Sequence, residues 1–423
     1  MLQHGPWMPP VTDPLGLPPG EGVLPNQLLD QAIAAGIIDA GPFRIPADNV
    51  QPASLDLRLG EVAYRIRCSF LPGSQRVDTR VKDLVIDEIN LHGEGVVLET
   101  GRPYLIPLKE RLSLPPGVRA KANPKSSTGR VDVFTRVITD GSSRFDEIAY
   151  GYHGGLYLEV VPLSFPVRVR EDLSLNQLRL SVGRVDLGDE EVRKHHRDQP
   201  ILFSDGAPVP PDELALSGGL FLGLDLRGNA AGRVGYRARP SAPLLDMTRV
   251  QPVDTEPFWE SVRREAGDRL VLVPKNFFLL MSYESVAVPP SLAAEMTAYD
   301  PTSGELRTHY AGFFDPGFGY EADGASRGST AALEVRAHDV PFMVEHRQRV
   351  CKLTFERMLE EPTLLYGHGI GSNYQHQTET LGKHFRVPEQ AEADKPREVP
   401  QAQRYAQRRE QRQDQLPLPG PGH

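Results

Sequence analysis

Short stretches of alternating hydrophobic and polar residues run through most of the chain, and Pro or Gly ends many of them. Representative stretches are "SLDLRL" (54–59), "YLIPL" (104–108), "GLYLEVV" (155–161) and "PVRVRE" (166–171). Alternation with a period of two, bounded by turn residues, predicts short half-buried β-strands. Helical patterns are confined to 24–38 and 256–267, where we predict short helices. The pattern therefore favours an all-β protein with few and short helices.

The same pattern occurs twice, in the same order. The matched pairs are 53–67 with 222–239, 104–127 with 278–301, and 156–180 with 331–355. The offset stays near 174–175 residues through the last two pairs. One such match could be chance, but three in the same order predict a duplicated domain.

The repeat divides the chain into two predicted β domains, 23–184 and 219–386, each a barrel or jelly-roll-like unit. Residues 185–218 are expected to connect them. The Pro/Gly-rich segment 1–22 is predicted to be a flexible tail. Residues 387–423 are polar with almost no aliphatic side chains, so we expect a disordered C-terminal tail.

Composition and net charge argue against some classes of function. The chain of 423 residues carries a net charge of −9, which argues against a nucleic-acid coat or binding to a membrane surface. A local basic pocket for a phosphorylated small molecule is compatible with that charge. No apolar run approaches the ~20 residues of a membrane helix, and the N-terminus lacks a signal peptide's apolar core. We therefore expect a soluble cytoplasmic protein.

The cysteines argue against a zinc site. Only Cys68 and Cys351 are present, with no CxxC or Cys/His ligand spacing. The HxE…PCxxC pattern of the zinc nucleobase deaminases is also absent. Two buried free thiols in a reducing cytoplasm are the expected state.

Five segments carry a family likeness. They are "VQPASLDLRLG" (50–60), "PKSSTGR" (124–130), "AGFFDPGFG" (311–319), "AALEV" (331–335) and "YGHGIGSNYQHQ" (366–377). Together and in this order they resemble the dCTP deaminase branch of the dUTPase-like superfamily. The resemblance implies a distorted jelly-roll β-barrel in each repeat. Members of the family are normally trimers with nucleotide sites between neighbouring subunits, so a homo-oligomer is expected. It also implies zinc-independent hydrolysis of dCTP to dUTP and ammonia, with Mg²⁺ accompanying the triphosphate.

The two repeats depart from the family pattern in complementary ways. The first keeps "KSSTGR", but Ala149 stands where the family has Asp. The second keeps Asp315 and Glu334, but "YDPTSG" replaces the Lys/Ser/Ser/Arg loop. We therefore predict a composite site built from loop 124–130 of one repeat and residues 311–377 of the other. Whether one chain or two adjacent chains supply these parts is left open.

The resemblance assigns the chemistry to three residues. Glu334 is the expected proton shuttle, because a carboxylate in a partly dry pocket can both accept and donate a proton. Ser126 and Arg130 match positions that place the attacking water and bind phosphate. Glu159, the repeat counterpart of Glu334, is the alternative catalytic residue.

The remaining matched positions are expected to bind substrate. Lys125 and Ser127 would donate to the triphosphate, as cationic and hydroxyl groups in a Gly-containing loop can. Asp315 would accept from the 3′-hydroxyl, Phe314 would pack against the sugar, and Ala311 would present a backbone group near the water.

The segment after the second repeat is expected to close over the phosphates. Tyr366, Tyr374 and Gln377 match family positions with that role, and Asn373 stands where a Lys is frequent. Glycines in 367–371 would let the segment move as a lid.

Two other functions fit the same residues. A dUTPase, or a bifunctional enzyme that also hydrolyses dUTP, would use Asp315 and release diphosphate, although the Gly-rich dUTPase arm is absent. A non-catalytic sensor of deoxynucleotides would bind dCTP without turnover. The products distinguish these possibilities.

Overall fold

The structure is a computed structural model that describes residues 15–229, 231–249, 251–298, 306–308, 312–321, 324–337, 339–367, 374–375, 377 and 379–387. Ala311, Asn373 and most of both predicted tails lie outside the described residues. Among the described residues, no helix is long and apolar enough to cross a membrane.

The first half of the chain is built mainly from short strands. They are β1 (Gly22–Val23), β2 (Ile38–Asp39), β3 (Leu55–Arg58), β4 (Val62–Ile66), β5 (Val85–Asn90), β6 (Val96–Leu98), β7 (Tyr104–Ser113), β8 (Val118–Pro124), β9 (Val133–Thr139), β10 (Glu147–Ile148), β11 (His153–Pro162), β12 (Val167–Val169) and β13 (Ser174–Val182). Three α-helices accompany them: α1 (Asn26–Ala34), α2 (Val77–Arg80) and α3 (Ser126–Gly129).

The second half repeats this plan. After α4 (Asp189–Asp198), its strands are β14 (Leu202–Ser204), β15 (Ala207–Pro208), β16 (Leu220–Gly223), β17 (Arg233–Ala238), β18 (Leu245–Asp246), β19 (Trp259–Arg263), β20 (Arg269–Leu272), β21 (Phe277–Val286), β22 (Leu292–Ala298), β23 (Leu306–Thr308), β24 (Phe313–Phe314), β25 (Ser329–Ala337), β26 (Phe342–Glu345) and β27 (Arg349–Arg357). Strands β14 and β15 fall within the predicted connector 185–218, and β14 pairs with β21.

Strand pairing is the same in the two halves. In the first half, β13 pairs with β8 and β11 pairs with β7; in the second, β27 pairs with β22 and β25 pairs with β21. All four pairs are antiparallel. Glu159 lies opposite Leu105, and Glu334 lies opposite Leu279, so the two glutamates occupy equivalent positions. The expectation of two tandem all-β units is confirmed.

Each half encloses an apolar core formed by the inward-facing residues of its alternating strands. Leu57, Leu158 and Leu178 are fully buried in the first core, and Leu333 and Leu353 are fully buried in the second. Truncating one such leucine to Ala typically costs ~2–5 kcal/mol. These cores hold the strands that carry the functional side chains.

An aromatic cluster joins the halves. Phe165 of the first half lies between rings of the second, with centroid distances of 5.2 Å to Trp259 and 5.5 Å to Phe258. Phe385, near the end of the described chain, packs against Trp259 at 5.8 Å. Beside the cluster, β12 pairs in parallel with β18 across the boundary. The two halves therefore share a buried interface.

One predicted helix is wrong. The sequence pattern of residues 256–267 predicts a helix. In the structure the middle of this segment is strand β19, which pairs with β17. Trp259 and Val262 are buried, while the charged residues between and after them face outward. Tertiary packing of Phe258 and Trp259 outweighs the weak local helical preference of the segment. The other predicted helix, 24–38, contains α1 and ends at β2.

Candidate functional site

A cavity of about 330 Å³ lies between the two halves. First-half lining residues are Asp48, Gln51, Asp56, Pro124, Lys125, Ser126, Ser127, Arg130 and Gln177. Second-half lining residues are Met296, Gly312, Phe313, Phe314, Asp315, Phe318, Ala331, Ala332 and Glu334, followed by Tyr366, Tyr374, Gln377 and Lys383. Apart from Ala311, which is not described, every predicted site residue except the alternative Glu159 lines this cavity. One chain supplies both sides of it.

The loop after β8 forms one wall. The amide groups of Thr128 and Gly129 donate to the Lys125 carbonyl, at 2.8 and 3.0 Å, and so close the single turn of α3. Gly129 is needed for close approach: a Cβ placed there would lie 2.6 Å from Oε2 of Glu334. The backbone of one repeat therefore rests directly against the carboxylate of the other.

Glu334 lies near the middle of β25 and is 8% exposed. Burial raises the pKa of Glu334 to about 8; the Arg130 guanidinium opposes this rise and Asp132 adds to it. A carboxyl group with a pKa near neutrality exchanges protons readily in both directions. The site thus holds one group suited to general acid–base chemistry.

Arg130 links the loop to the C-terminal segment. Its Nη2 donates to Oε1 of Gln377 at 2.6 Å, and its Nη1 donates to the Thr380 carbonyl at 3.1 Å. The guanidinium also lies 3.7 Å from the ring centroid of Tyr374. Burial lowers the pKa of Arg130. These contacts close the segment over the cavity.

The C-terminal segment has a second anchor outside the cavity. Glu379 accepts from Arg233 at 2.5 Å and from the Tyr236 hydroxyl at 3.1 Å. The amide of Tyr374 donates to the Tyr366 hydroxyl at 3.3 Å. The predicted closing segment is therefore folded against the site at its described positions.

Asp315 is bound by a residue from the other half. Its Oδ1 accepts from Nη2 of Arg179 at 3.0 Å, and its Oδ2 accepts from the Ser54 hydroxyl at 3.4 Å. Arg179 is 2% exposed and also donates to Glu356 at 2.6 Å. Burial raises the pKa of Asp315, and Arg179 opposes that rise. The arginine fixes the direction in which the carboxylate faces.

The apolar side of the cavity comes from an aromatic group. The Phe314 and Phe318 ring centroids are 5.0 Å apart, and those of Phe318 and Tyr366 are 5.7 Å apart. Offset and edge-to-face pairs of this kind hold their rings in defined orientations. Phe314 thus presents a fixed apolar surface beside Asp315.

Sequence reasoning missed four polar residues that matter here: Asp56, Gln177, Arg179 and Lys383. Lys125 forms an ion pair with Asp56, and Lys383 lines the cavity near both. Asp56 lies inside the quoted "QPASLDLRLG" segment, which was a usable signal. Nothing in the sequence distinguishes Arg179, because a single polar residue in an alternating strand normally faces solvent.

Glu159 is held elsewhere. It forms an ion pair with Arg136 at 2.8 Å and accepts from the Ser69 hydroxyl at 2.6 Å. Arg136 in turn stacks over the Phe145 ring at 3.7 Å. The glutamate is 1% exposed and is not among the residues that line the cavity. Its charge is neutralised within the first half.

The fold and site define a class of protein: an all-β enzyme with a nucleotide-sized cavity between two repeats, equipped with an acid–base carboxyl group and basic residues. Comparisons with known proteins agree. The protein-family model for the 2'-deoxycytidine 5'-triphosphate deaminase N-terminal domain matches residues 20–184. The family model for the C-terminal domain of the same enzyme matches residues 188–385. The chain belongs to the 2'-deoxycytidine 5'-triphosphate deaminase family.

Individual relatives support this membership. The crystal structure of 2'-deoxycytidine 5'-triphosphate deaminase from Agrobacterium tumefaciens is 44% identical, with a TM-score of 0.75 over 81% of this chain and 99% of that one. A dCTP deaminase from Natronomonas pharaonis is 30% identical over 162 residues, 37% of this chain and 78% of the relative. A "dCTP deaminase, dUMP-forming" from Methanosphaerula palustris is 31% identical over 154 residues, 36% of this chain and 76% of the relative. The expected family is thereby confirmed.

Proposed function

We propose that this chain hydrolyses dCTP to dUTP and ammonia in a composite site that its two repeats build together. The contact between loop 124–130 and Glu334 carries this proposal, because it joins the retained half-motif of each repeat around one cavity. The described residues of the cavity all come from one chain. Homo-oligomer formation therefore remains an expectation, but assembly is not needed to complete these contacts.

Glu334 would move the protons of the reaction. The water oxygen bonds to C4 of the cytosine ring, and Glu334 takes a proton from that water and delivers it to N3. The remaining hydroxyl proton passes to the amino group, the C4–N bond breaks, and ammonia leaves a C4 carbonyl. A pKa of about 8 suits a group that must both accept and donate near neutral pH.

Ser126 and Arg130 would support this chemistry from the opposite wall. Ser126 offers a hydroxyl group that can orient the attacking water. Arg130 is fixed by Gln377 and Tyr374, and it places a positive charge beside Glu334. A preorganised charge of this kind stabilises a developing carboxylate or oxyanion without reorganisation.

The rest of the cavity would bind the sugar and phosphates. Asp315, oriented by Arg179, would accept from the 3′-hydroxyl, and Phe314 would cover the apolar face of the sugar. Lys125 and Ser127 would bind phosphate oxygens, since cations and hydroxyl donors are the usual partners of such anions. The closing segment, with Tyr366, Tyr374 and Gln377, would cover them.

Magnesium would accompany the triphosphate. Asp56 fits such an ion, because its Oδ1 is buried at the cavity without a hydrogen-bond partner among the described residues. Carboxylate and phosphate oxygens are the ligands that Mg²⁺ prefers. When bound, the ion would neutralise phosphate charge, and the residues of this chain would perform the deamination.

A bifunctional reaction is the second candidate. Relatives with the name "dCTP deaminase, dUMP-forming" come from Methanosphaerula palustris and Methanospirillum hungatei. Asp315 lies in the cavity, at the position where the resemblance expects the dUTPase carboxylate. Release of diphosphate in addition to ammonia would support this candidate.

The test is to measure ammonia and diphosphate release from dCTP and dUTP with Mg²⁺, for wild type, Glu334→Gln and Glu159→Gln. We expect ammonia from dCTP, abolished by Glu334→Gln and retained by Glu159→Gln. Loss through Glu159→Gln alone would overturn the residue assignment. Diphosphate without ammonia would indicate a dUTPase, and dCTP binding without turnover would indicate a sensor.

A further inference from the structure

An ion pair across the two repeats lies beside the proposed catalytic carboxylate. Asp132, two residues after Arg130, pairs with Arg336 of β25. Asp132 is fully buried, and the Arg336 side chain is 15% exposed. Burying both charges carries a desolvation cost, which their mutual attraction and further hydrogen bonds must offset.

The backbone of Asp132 ties the pair to the site loop. The Asp132 amide donates to the Gly129 carbonyl at 2.8 Å, and the Asp132 carbonyl accepts from Leu163 at 2.9 Å. Asp132 has φ = 57°, a left-handed conformation that Gly adopts readily and Asp tolerates. The residue therefore ends the loop that contacts Glu334.

Arg336 follows Glu334 by two positions on the same strand. Side chains two residues apart on a strand point to the same face, so both face the loop of the first repeat. The other end of the guanidinium donates to the Lys275 carbonyl at 2.5 Å. Arg336 is thus fixed on both sides, once by its own half and once by Asp132.

We propose that the Asp132–Arg336 ion pair is a positioning device that holds the site loop against β25 and balances the charge around Glu334. This inference rests on the proposed deaminase function. It assigns positioning roles to two residues that the family resemblance did not single out. Neither residue is among those that line the cavity, so both would act through Glu334.

The charges around Glu334 give the inference a specific, testable consequence. Glu334 faces the Arg130 cation, which favours its ionised form, and Asp132, which disfavours it; Tyr374 lies nearby and is neutral at neutral pH. Removing the Asp132 charge would leave Arg336 without this counter-ion and favour the Glu334 carboxylate. Removing the Arg336 charge would take away the cation that pairs with Asp132, although the Ser164 hydroxyl still donates to Asp132, and it would disfavour the Glu334 carboxylate. The two changes should therefore move the titration of Glu334 in opposite directions.

The experiment is the pH dependence of kcat/KM for dCTP in wild type, Asp132→Asn and Arg336→Met. If the ionised Glu334 is the base, kcat/KM rises with pH through its pKa. We expect the midpoint to move down in Asp132→Asn and up in Arg336→Met, each by roughly one pH unit. The double variant should lie close to wild type.

Two further variants separate positioning from general loss of stability. Asp132→Gly suits the left-handed backbone and removes the same charge, so it should reproduce the downward shift even if Asp132→Asn folds poorly. Arg136→Met breaks a different ion pair, with the buried Glu159, and should lower the unfolding temperature without moving the midpoint.

Midpoints that stay unchanged, or that move in the same direction in both variants, would overturn the inference. The proposed function fails separately: a wild type that releases no ammonia from dCTP refutes it whatever the variants do. Wild-type turnover that Glu334→Gln abolishes, with unmoved midpoints in the pair variants, refutes only the positioning role.

Discussion

Substituting Gly129 by Ala tests the contact that joins the two repeats at the site. A Cβ at residue 129 would lie 2.6, 2.7 and 2.8 Å from Oε2, Oε1 and Cδ of Glu334. Favourable non-bonded contacts between heavy atoms lie near ~3.5 Å or more, so the overlap is close to 1 Å. Either the loop or the glutamate must move by about that distance.

The cost to stability should be small. Overpacking at a well-filled position costs ~1–3 kcal/mol, while Ala gains up to ~1 kcal/mol over Gly in a helical turn. The backbone of Gly129 is not left-handed, so no further conformational strain arises. We therefore expect the free energy of unfolding to fall by about 0–2 kcal/mol.

The cost to activity should be much larger. Displacing a catalytic group by about 1 Å can lower a rate by ~10²-fold. We expect kcat/KM for ammonia release from dCTP to fall by at least that factor in Gly129→Ala, while the protein stays folded. Gly117→Ala is the matched control, because a Cβ there has no neighbour within 4 Å and its φ is not left-handed. A Gly129→Ala variant with activity within about threefold of the control would refute the assigned contact.

Three further outcomes are expected. Burial raises the pKa of Glu334 to about 8, so between its pKa in the unfolded chain and pH 8 the folded protein binds a proton that the unfolded chain does not. As pH rises from 5 to 8, wild type should therefore lose stability relative to Glu334→Gln, as measured by thermal unfolding. Arg179→Met should cost ~3–5 kcal/mol in urea unfolding, since it leaves the buried Asp315 carboxylate without its cation; a loss below 1 kcal/mol would contradict that reading. Lys383 lines the cavity near Lys125, which we propose binds phosphate, so Lys383→Met should raise KM for dCTP more than KM for dCMP. The exposed Lys82→Met should change neither KM; equal effects of Lys383→Met on both substrates would show that Lys383 does not bind the outer phosphates.

The fold was largely predictable because its signal is repeated. In segments such as 155–161 and 331–335, alternation correctly predicts strands that place Leu and Val side chains in the core. Segment 256–267 was mispredicted because its charged residues follow a helical spacing, while Phe258 and Trp259 are held by the aromatic cluster around Phe165. That cluster depends on residues almost 100 positions away, which no local window contains.

The site was predictable only in its motif-bearing part. Lys125, Ser126 and Arg130 lie in one loop, so a short segment identified them together. Arg179 and Arg336 act across the boundary between the repeats, and their partners Asp315 and Asp132 are distant in sequence. In the sequence, Arg179 and Arg336 resemble ordinary solvent-facing residues of alternating strands. Their burial depends on how the other half of the chain packs against them, which the local sequence does not show.

The two equivalent glutamates show how a duplicated chain can reach one site. Glu159 and Glu334 occupy the same register of equivalent strands, yet their surroundings differ: Glu159 forms an ion pair with Arg136 and accepts from the Ser69 hydroxyl, whereas Glu334 faces Gly129 and the Arg130 cation. A buried carboxylate without a partner is unstable, so the glutamate of the repeat that does not serve the site must either be lost or be paired with a cation. The first repeat pairs it, and the second leaves Glu334 against Gly129 with its pKa raised. The carboxyl group whose pKa burial raises is thus the one that the proposed chemistry needs, and the pH dependence of stability should report on Glu334.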